Sequence, residues 1–384
     1  MKKKRLFFLR ATAVLALALV LTLDAAFLLT GSRTFSPTEN RTLQQRPALT
    51  LQGATSGRFE SRFDDYISDQ FPFRDAWVTL KTALDRLGGR TESGGVFLGR
   101  DGSLIQDFVP PAEADYAATL AALQGFLSRH GDIPEYVMIV PTAASVCRDQ
   151  LPWPATAGDE DGYLNRLYAD LDGLALPIDL RPAFAAARKQ VRLYYRTDHH
   201  WTQDGALLAY RQFCTVAGLP GGAGSWEKRL LSADFRGTLS AASGFRTGER
   251  DDLYACLPPD DLQYVVTYGG ESARSASMYR AEALDTRDQY AVFLGGNPPQ
   301  VKIETPLQNG RTLLVLKDSY ANCFAPLLAA DYQKLIVVDP RYFTGDLEVL
   351  MDAEGVNELL ILYNAATLAT DTALRGDIGK ARPA

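Results

Sequence analysis

The sequence predicts an α/β protein: a parallel sheet flanked by helices, carried behind an N-terminal membrane segment. Three observations lead there. In the last third of the chain, short apolar runs ending in polar turns alternate with helical segments. The composition, 46% hydrophobic and 22% charged over 384 residues, is that of a globular chain with a sizeable core. The first thirty residues join a basic cluster to a long apolar run.

That run extends from Leu6 to Leu29, interrupted only by Arg10 and by Asp24 near its end. It is long enough to cross a hydrocarbon layer of about 30 Å. Lys2, Lys3, Lys4 and Arg5 precede it, which keeps the N-terminus cytoplasmic and sends the remainder across. An uncleaved anchor over residues 1–30 is the expectation, and a cleaved signal peptide the alternative. Residues 31–55 are polar and without periodicity, a membrane-proximal linker. Apolar residues from Arg58 to Leu87 recur at helical spacing, with a turn at Pro72, so residues 31–95 read as linker and helices. Val96–Leu98 reads as a strand entering an Asp101-Gly102 turn.

From residue 96 onward a single domain is expected, running to residue 384. Helices are predicted at Glu113–Arg129, Asp161–Asp172 and Gly205–Ala217, and a strand at Glu135–Val140. Further strands are predicted at Tyr290–Leu294, Thr312–Leu316, Lys334–Val338 and Glu358–Tyr363. Helices at Asn322–Tyr332 and Gly345–Ala353 separate the last three, as parallel crossover units require. Pro326 makes the first of these helices start late or bend. Residues 219–290, rich in Gly and Ser, read as an insertion over the sheet.

The formal charge is −6, but the first ten residues carry +5, leaving −11 on the rest. Such a body lacks the basic field of a nucleic-acid binder. The four cysteines, Cys147, Cys214, Cys256 and Cys323, suit an oxidising compartment without fixing any pairing; free thiols are equally compatible.

Three constellations could do chemistry. Asp198-His199-His200-Trp201 puts a carboxylate and two of the chain's three histidines in one loop, ahead of a helix that Thr202 or Asp204 could cap. This composition suits part of a triad, a metal site, or a loop held by its own side chains. A metal site needs three or four ligands, and only His130 remains elsewhere. Leu313–Tyr320 is an apolar strand stopping at Lys317-Asp318-Ser319, which presents a hydroxyl at a strand's carboxyl end, where open α/β sheets bind ligands. A serine hydroxyl becomes a nucleophile when a histidine takes its proton and a carboxylate fixes that imidazole. Asn364, directly after an apolar strand, could donate to an oxyanion, and Asn297 after Gly295-Gly296 is a comparable candidate. Each asparagine taken singly could also be a turn former.

The Asp198-His199-His200-Trp201 loop resembles the motif that names the DHHW family of bacterial extracytoplasmic proteins. Glu39-Asn40-Arg41, Asp69-Gln70-Phe71-Pro72-Phe73-Arg74, Lys317-Asp318-Ser319-Tyr320 and Asp339-Pro340-Arg341-Tyr342 resemble that family in the same order. The family is similar in turn to alginate O-acetyltransferases of the AlgJ and AlgX type. The resemblance implies an SGNH-hydrolase-like, flavodoxin-like domain with permuted motif order. It also implies Ser319 as nucleophile, His200 as general base and Asp198 as its orienting partner, with His199 outside the triad. Asn364 matches the SGNH oxyanion asparagine; Asn297, Arg341 and Trp201 join it as candidate oxyanion or substrate-binding residues. Lys317 stands where SGNH enzymes have glycine, and the second SGNH glycine has no counterpart near Arg341.

The expected function is extracytoplasmic O-acylation of a cell-surface polysaccharide through an acyl-serine, with a membrane-bound O-acyltransferase as partner and no metal or organic cofactor. A carbohydrate esterase of the same fold, or a non-catalytic polysaccharide-binding or assembly factor, is the alternative.

Overall fold

The computed structural model describes residues 2–36, 41–50, 53, 55, 57–221, 225–257, 262–269 and 274–380. Glu39 and Asn40 of the first DHHW-like motif lie outside them. The chain forms two compact units: Met1–Arg90 with Ala241–Phe245, and Thr91–Ser240 with Arg246–Ala384.

In the first unit, helix α1 spans Lys2–Leu29. Its apolar part, Lys4–Leu29, is 26 residues long, about 39 Å at 1.5 Å per residue. That length and composition fit a single-pass anchor or a signal sequence. Helices α2 (Arg58–Gln70) and α3 (Arg74–Leu87) follow as the periodicity predicted. Phe73, at φ 57°, makes the sharp turn between them. The segment read as a membrane-proximal linker is held at Arg33 and Gln44 by the buried Asp69 and Gln70. Asp69 Oδ2 accepts from the Gln44 amide nitrogen at 2.7 Å. The Gln70 side chain accepts from Arg33 N and donates to the carbonyls of Arg33 and Gln44. This gives the Asp69–Arg74 motif a structural role.

The second unit is an α/β/α sandwich. The eight strands of its main sheet are β1 Glu135–Val140, β2 Leu176–Pro177, β3 Val265–Tyr268, β4 Arg274–Ser275, β5 Gln300–Glu304, β6 Thr312–Lys317, β7 Lys334–Val338 and β8 Glu358–Asn364. They lie in the order β4-β3-β5-β7-β6-β8-β1-β2. The run β7-β6-β8-β1-β2 is parallel, while β5 joins β7 antiparallel and β3 and β4 continue antiparallel. The sheet is therefore mixed, which corrects the expectation of a parallel one. Strands β3 and β4, drawn from the stretch read as an insertion, extend this sheet at its edge.

Two further expectations are corrected. Tyr290–Leu294 is not a strand: Gln289–Val292 is a 3₁₀ turn, and Leu294, Gly295 and Gly296 all have positive φ, which breaks extended pairing. The helix expected at Asn322–Tyr332 shrinks to Ala325–Leu328 after a 3₁₀ turn at Ser319–Asn322, because Pro326 is tolerated only in a helix's first turn.

The central strands are buried on both faces, and their side chains alternate between two cores. Leu313, Val315, Leu335, Val337, Leu360 and Leu362 face one; Leu314, Leu316, Ile336, Val338, Leu359 and Ile361 face the other. The helices α4 Glu113–Arg129, α5 Glu160–Asp170, α6 Gln203–Ala217 and α7 Leu347–Glu354 cover these faces. Helix α6 lays Ala206, Ala209, Tyr210 and Phe213 on the first, whereas α4, α5 and α7 cover the second with Leu123, Phe126, Leu164, Leu167, Leu347 and Met351. Strand β6 sits between β7 and β8, so the chain leaves β6 toward one neighbour and returns past it to the other. In open α/β sheets such a reversal marks the place, beyond the strand's carboxyl end, where ligands bind.

At the opposite end of the sheet, Glu135 opens β1 with only 4% exposure, and neither carboxylate oxygen has a hydrogen-bond partner among the described residues. Burial pushes its carboxyl up to about 8. Between an ordinary value of 4.5 and 8 the folded state holds a proton the unfolded chain has lost, so stability falls as pH rises through that window. Glu135→Gln is expected to raise the unfolding midpoint by about 2 °C or more at pH 8 and to change it little at pH 4. Thermal melts across that range check the sign.

Candidate active site

Ser319 stands at the first position after the turn that ends β6. Asp318 builds that turn: its Oδ1 accepts from Tyr320 N at 2.9 Å and its Oδ2 from Asn364 N at 2.9 Å. One fully buried carboxylate thus fastens the carboxyl ends of β6 and β8 together. Burial raises its pKa, and these amide donors pull the other way.

The histidine loop arrives from across the unit. Both oxygens of the buried Asp251 receive the loop's start, from Arg196 N at 2.8 Å, Thr197 N at 2.9 Å and Thr197 Oγ1 at 2.7 Å. Asp198 follows. Its Oδ1 accepts from His200 N at 2.9 Å and lies 2.5 Å from His200 Nδ1. Its Oδ2 accepts from Thr238 N at 2.8 Å and Thr238 Oγ1 at 3.1 Å. The other ring nitrogen, His200 Nε2, lies 2.8 Å from Ser319 Oγ. A continuous Ser–His–Asp relay therefore joins residues 119 positions apart in sequence.

Burial alone would raise the Asp198 carboxyl, but the charges of His200 and His199 and the hydrogen bonds from His200 outweigh it and hold it well below the usual carboxylate range. His199 is pushed down to about 4, by burial first and by the neighbouring His200 charge second. His199 is therefore uncharged near neutrality, and its Nδ1 rests against Thr238 Oγ1 at 3.0 Å. The Tyr290 ring stacks on the His200 imidazole at 3.9 Å between centroids with a 14° tilt.

The sequence-predicted residues divide clearly. Ser319, His200 and Asp198 come together, and Thr202 caps α6 through Gly205 N as expected. Trp201 is not a substrate-facing platform. It is fully buried, its Nε1 donates to Tyr320 O at 3.0 Å, and its ring stacks on Phe324. Asn364 is turned from oxyanion duty: its Nδ2 donates to Val140 O at 3.1 Å while its Oδ1 caps the helix α8, Ala365–Thr370. Arg341 forms a two-pronged pair with Asp339, Nε–Oδ1 2.8 Å and Nη2–Oδ2 2.7 Å, and its charge acts on both Asp318 and His199. Asn297 Oδ1 receives Lys317 Nζ at 3.3 Å and Asn322 Nδ2 at 3.1 Å.

Asp198, His199 and His200 bring possible metal ligands within 4.8 Å of one another. A cation there would have to displace the hydrogen bonds just described, since both Asp198 oxygens and both His200 nitrogens are engaged. The four cysteines are free thiols, and burial lifts Cys256 and Cys323 to about 12.

Sequence reasoning missed Gly237, Thr238, Asp251 and Tyr290. Only Gly237-Thr238 left a trace, as a small residue beside a hydroxyl. A Cβ on Gly237 would fall within 2.5 Å of Asp198 Cα and collide with its side chain.

The fold is SGNH-hydrolase-like, and comparison narrows the class. Residues 98–247 match the SGNH hydrolase-like domain of the acetyltransferase AlgX. The chain is 27% identical over 240 residues to a probable alginate O-acetylase AlgJ from Pseudomonas putida, covering 60% of this chain and 57% of that protein. It thus spans little more than half the length of the curated relative it matches. Solved structures share the fold. A DHHW family protein from Eubacterium siraeum aligns at TM-score 0.64 and 23% identity, covering 74% of this chain and 95% of that one. Bacillus cereus PatB1, solved with a sulfonyl adduct, aligns at TM-score 0.60 and 20% identity, covering 72% and 96%. The chain is similar to the AlgJ/AlgX acetyltransferase family.

Gly237→Ala is expected to cost about 1–3 kcal/mol of stability by overpacking and, by displacing Asp198, to lower any cleavage of an acetyl ester that depends on His200. Denaturant unfolding and a chromogenic acetyl ester measure the two effects separately.

Proposed function

We propose that the chain is an extracytoplasmic O-acetyltransferase that modifies a cell-surface polysaccharide through an acetyl-serine at Ser319. The observation that carries this reading is the 2.8 Å approach of His200 Nε2 to Ser319 Oγ, with Nδ1 held by an ionised Asp198. The similarity to acetyltransferases supports acetyl as the group moved. The apolar α1 helix supports placing the domain outside, tethered to the membrane. In this reading the histidine loop precedes the serine, permuted relative to ordinary SGNH hydrolases.

In the first half-reaction Ser319 Oγ bonds to the acetyl carbonyl carbon while its proton passes to His200 Nε2. The carbonyl electron pair moves onto oxygen, where the Ser319 N–H can meet it. Collapse of this intermediate breaks the bond to the donor oxygen, which leaves with the proton from His200. In the second half-reaction a sugar hydroxyl gives its proton to His200 and attacks the acetyl-serine, and Ser319 leaves with that proton. Asp198 stabilises the imidazolium in both halves without itself taking the proton. Water in place of the sugar would make the same site an esterase. A membrane-bound O-acyltransferase is the proposed donor partner, delivering acetyl groups across the bilayer to a tethered domain.

Ser319→Ala is expected to abolish acetyl release from p-nitrophenyl acetate, and Asp198→Asn to lower kcat by about 10⁴ by leaving the imidazole in the wrong tautomer. Stopped-flow absorbance on the folded variants checks both. Undiminished turnover in Ser319→Ala would sink the assignment.

A further inference from the structure

Lys317 precedes the nucleophile by two residues, and it is a fully buried cation. Its Nζ contacts three acceptors: Asn322 Oδ1 at 2.8 Å, Asp339 Oδ2 at 3.0 Å and Asn297 Oδ1 at 3.3 Å. Burial lowers its pKa while Asp339 raises it, so the ammonium depends on these partners. Two donors, Lys317 Nζ and Asn322 Nδ2, converge on the single oxygen of Asn297. An amide whose oxygen accepts twice has only one orientation, with its NH₂ group directed away from both donors. That Nδ2 has no protein acceptor among the described residues, and Asn297 is partly exposed. Asn322 closes the 3₁₀ turn that begins at Ser319, so the amide it holds contacts the nucleophile turn.

The backbone leading to Asn297 is itself strained. Leu294, a buried non-glycine residue, has φ 56°, and Gly295 and Gly296 follow at 75° and 90°. A left-handed leucine costs free energy, and such residues persist where the surroundings over-determine a site. The same segment carries Tyr290, stacked on His200. One short loop therefore serves both the base and the amide.

We infer that Asn297 Nδ2 donates to the oxyanion formed at the Ser319 acyl carbon, and that Lys317 is the positioning residue that fixes the amide in its donating orientation. This rests on the acyl-serine reading. It also accounts for the lysine at the SGNH glycine position. With Asn364 engaged elsewhere, a second donor is supplied from the neighbouring loop and locked from behind by a charge.

The test is the pair Asn297→Ala and Asn297→Asp, assayed with p-nitrophenyl acetate beside Ser319→Ala. Loss of one oxyanion donor lowers kcat by about 10²–10³ with KM little changed. The aspartate variant separates catalysis from structure. A carboxylate still accepts from Lys317 and Asn322, so its melting temperature should match or exceed that of the native protein. It nevertheless sets a negative charge where the oxyanion forms, so its kcat should fall below that of the alanine variant. Lys317→Met should lower kcat similarly, and Lys317→Met combined with Asn297→Ala should be no slower than the worse single variant, because both remove one interaction. If Lys317→Met does not fold, the two Asn297 variants decide alone. Turnover of Asn297→Asp within about threefold of native, with Ser319→Ala inactive, overturns this inference and leaves the nucleophile intact. Turnover in Ser319→Ala overturns both.

Discussion

The candidate site depends on a reciprocal clamp between Trp201 and Tyr320. Trp201 Nε1 donates to the Tyr320 carbonyl, and the Tyr320 hydroxyl donates to the His199 carbonyl. Two side chains thus each hold the other's backbone segment, in a region from which water is excluded. Hydrogen bonds buried in this way are costly to leave unmade, so the histidine loop and the serine turn cannot separate without leaving unpaired polar groups. The His200–Ser319 approach follows from that registration. General base chemistry at a hydroxyl requires contact within hydrogen-bond reach before any question of pKa arises.

Behind the clamp lies an unusual density of buried charge. Asp318, Asp198, Asp251, Lys317 and Asp339 are all nearly or fully inaccessible, and each is met by backbone amides, hydroxyls or an opposite charge. Such arrangements are expensive in desolvation and weak evidence of stability. Their yield here is orientation. Asp318 fixes the turn that carries Ser319, Asp251 fixes the start of the histidine loop, and Asp198 fixes the imidazole. The carboxylates accept hydrogen bonds from successive backbone amides, which makes each loop's path a consequence of one side chain.

Much of this was legible in the sequence, and the exceptions have physical causes. Strands β1, β6, β7 and β8 announce themselves because a strand covered on both faces must be apolar throughout. Strand β5 escaped because its inward Val301 and Ile303 alternate with Gln300, Lys302 and Glu304, a pattern that follows Pro298-Pro299 and resembles a polar loop. The apolar stretch at 290–294 misled because hydrophobicity records burial, not φ; the positive φ at Leu294 is invisible in composition. Trp201 misled for a related reason. An aromatic residue beside catalytic-type histidines resembles a binding platform, but its indole serves as a buried strut. That Ser319, His200 and Asp198 would meet was readable because so few histidines were available. Thr238 and Asp251, which steady it, carry no local signal, since their partners lie some forty to fifty-five residues away.

Acetyl transfer and ester hydrolysis share every step up to the acyl-serine, so the central claim is that intermediate. Its direct measurement is peptide mapping by mass spectrometry after acid quench of the protein mixed with an acetyl ester. The account predicts an acetyl adduct on the peptide bearing Ser319, accumulating when the acceptor is withheld and discharged when a polysaccharide acceptor is added. Acetyl release with the Ser319 peptide unmodified at every quench time, or an adduct on another residue that turns over at the catalytic rate, would contradict it.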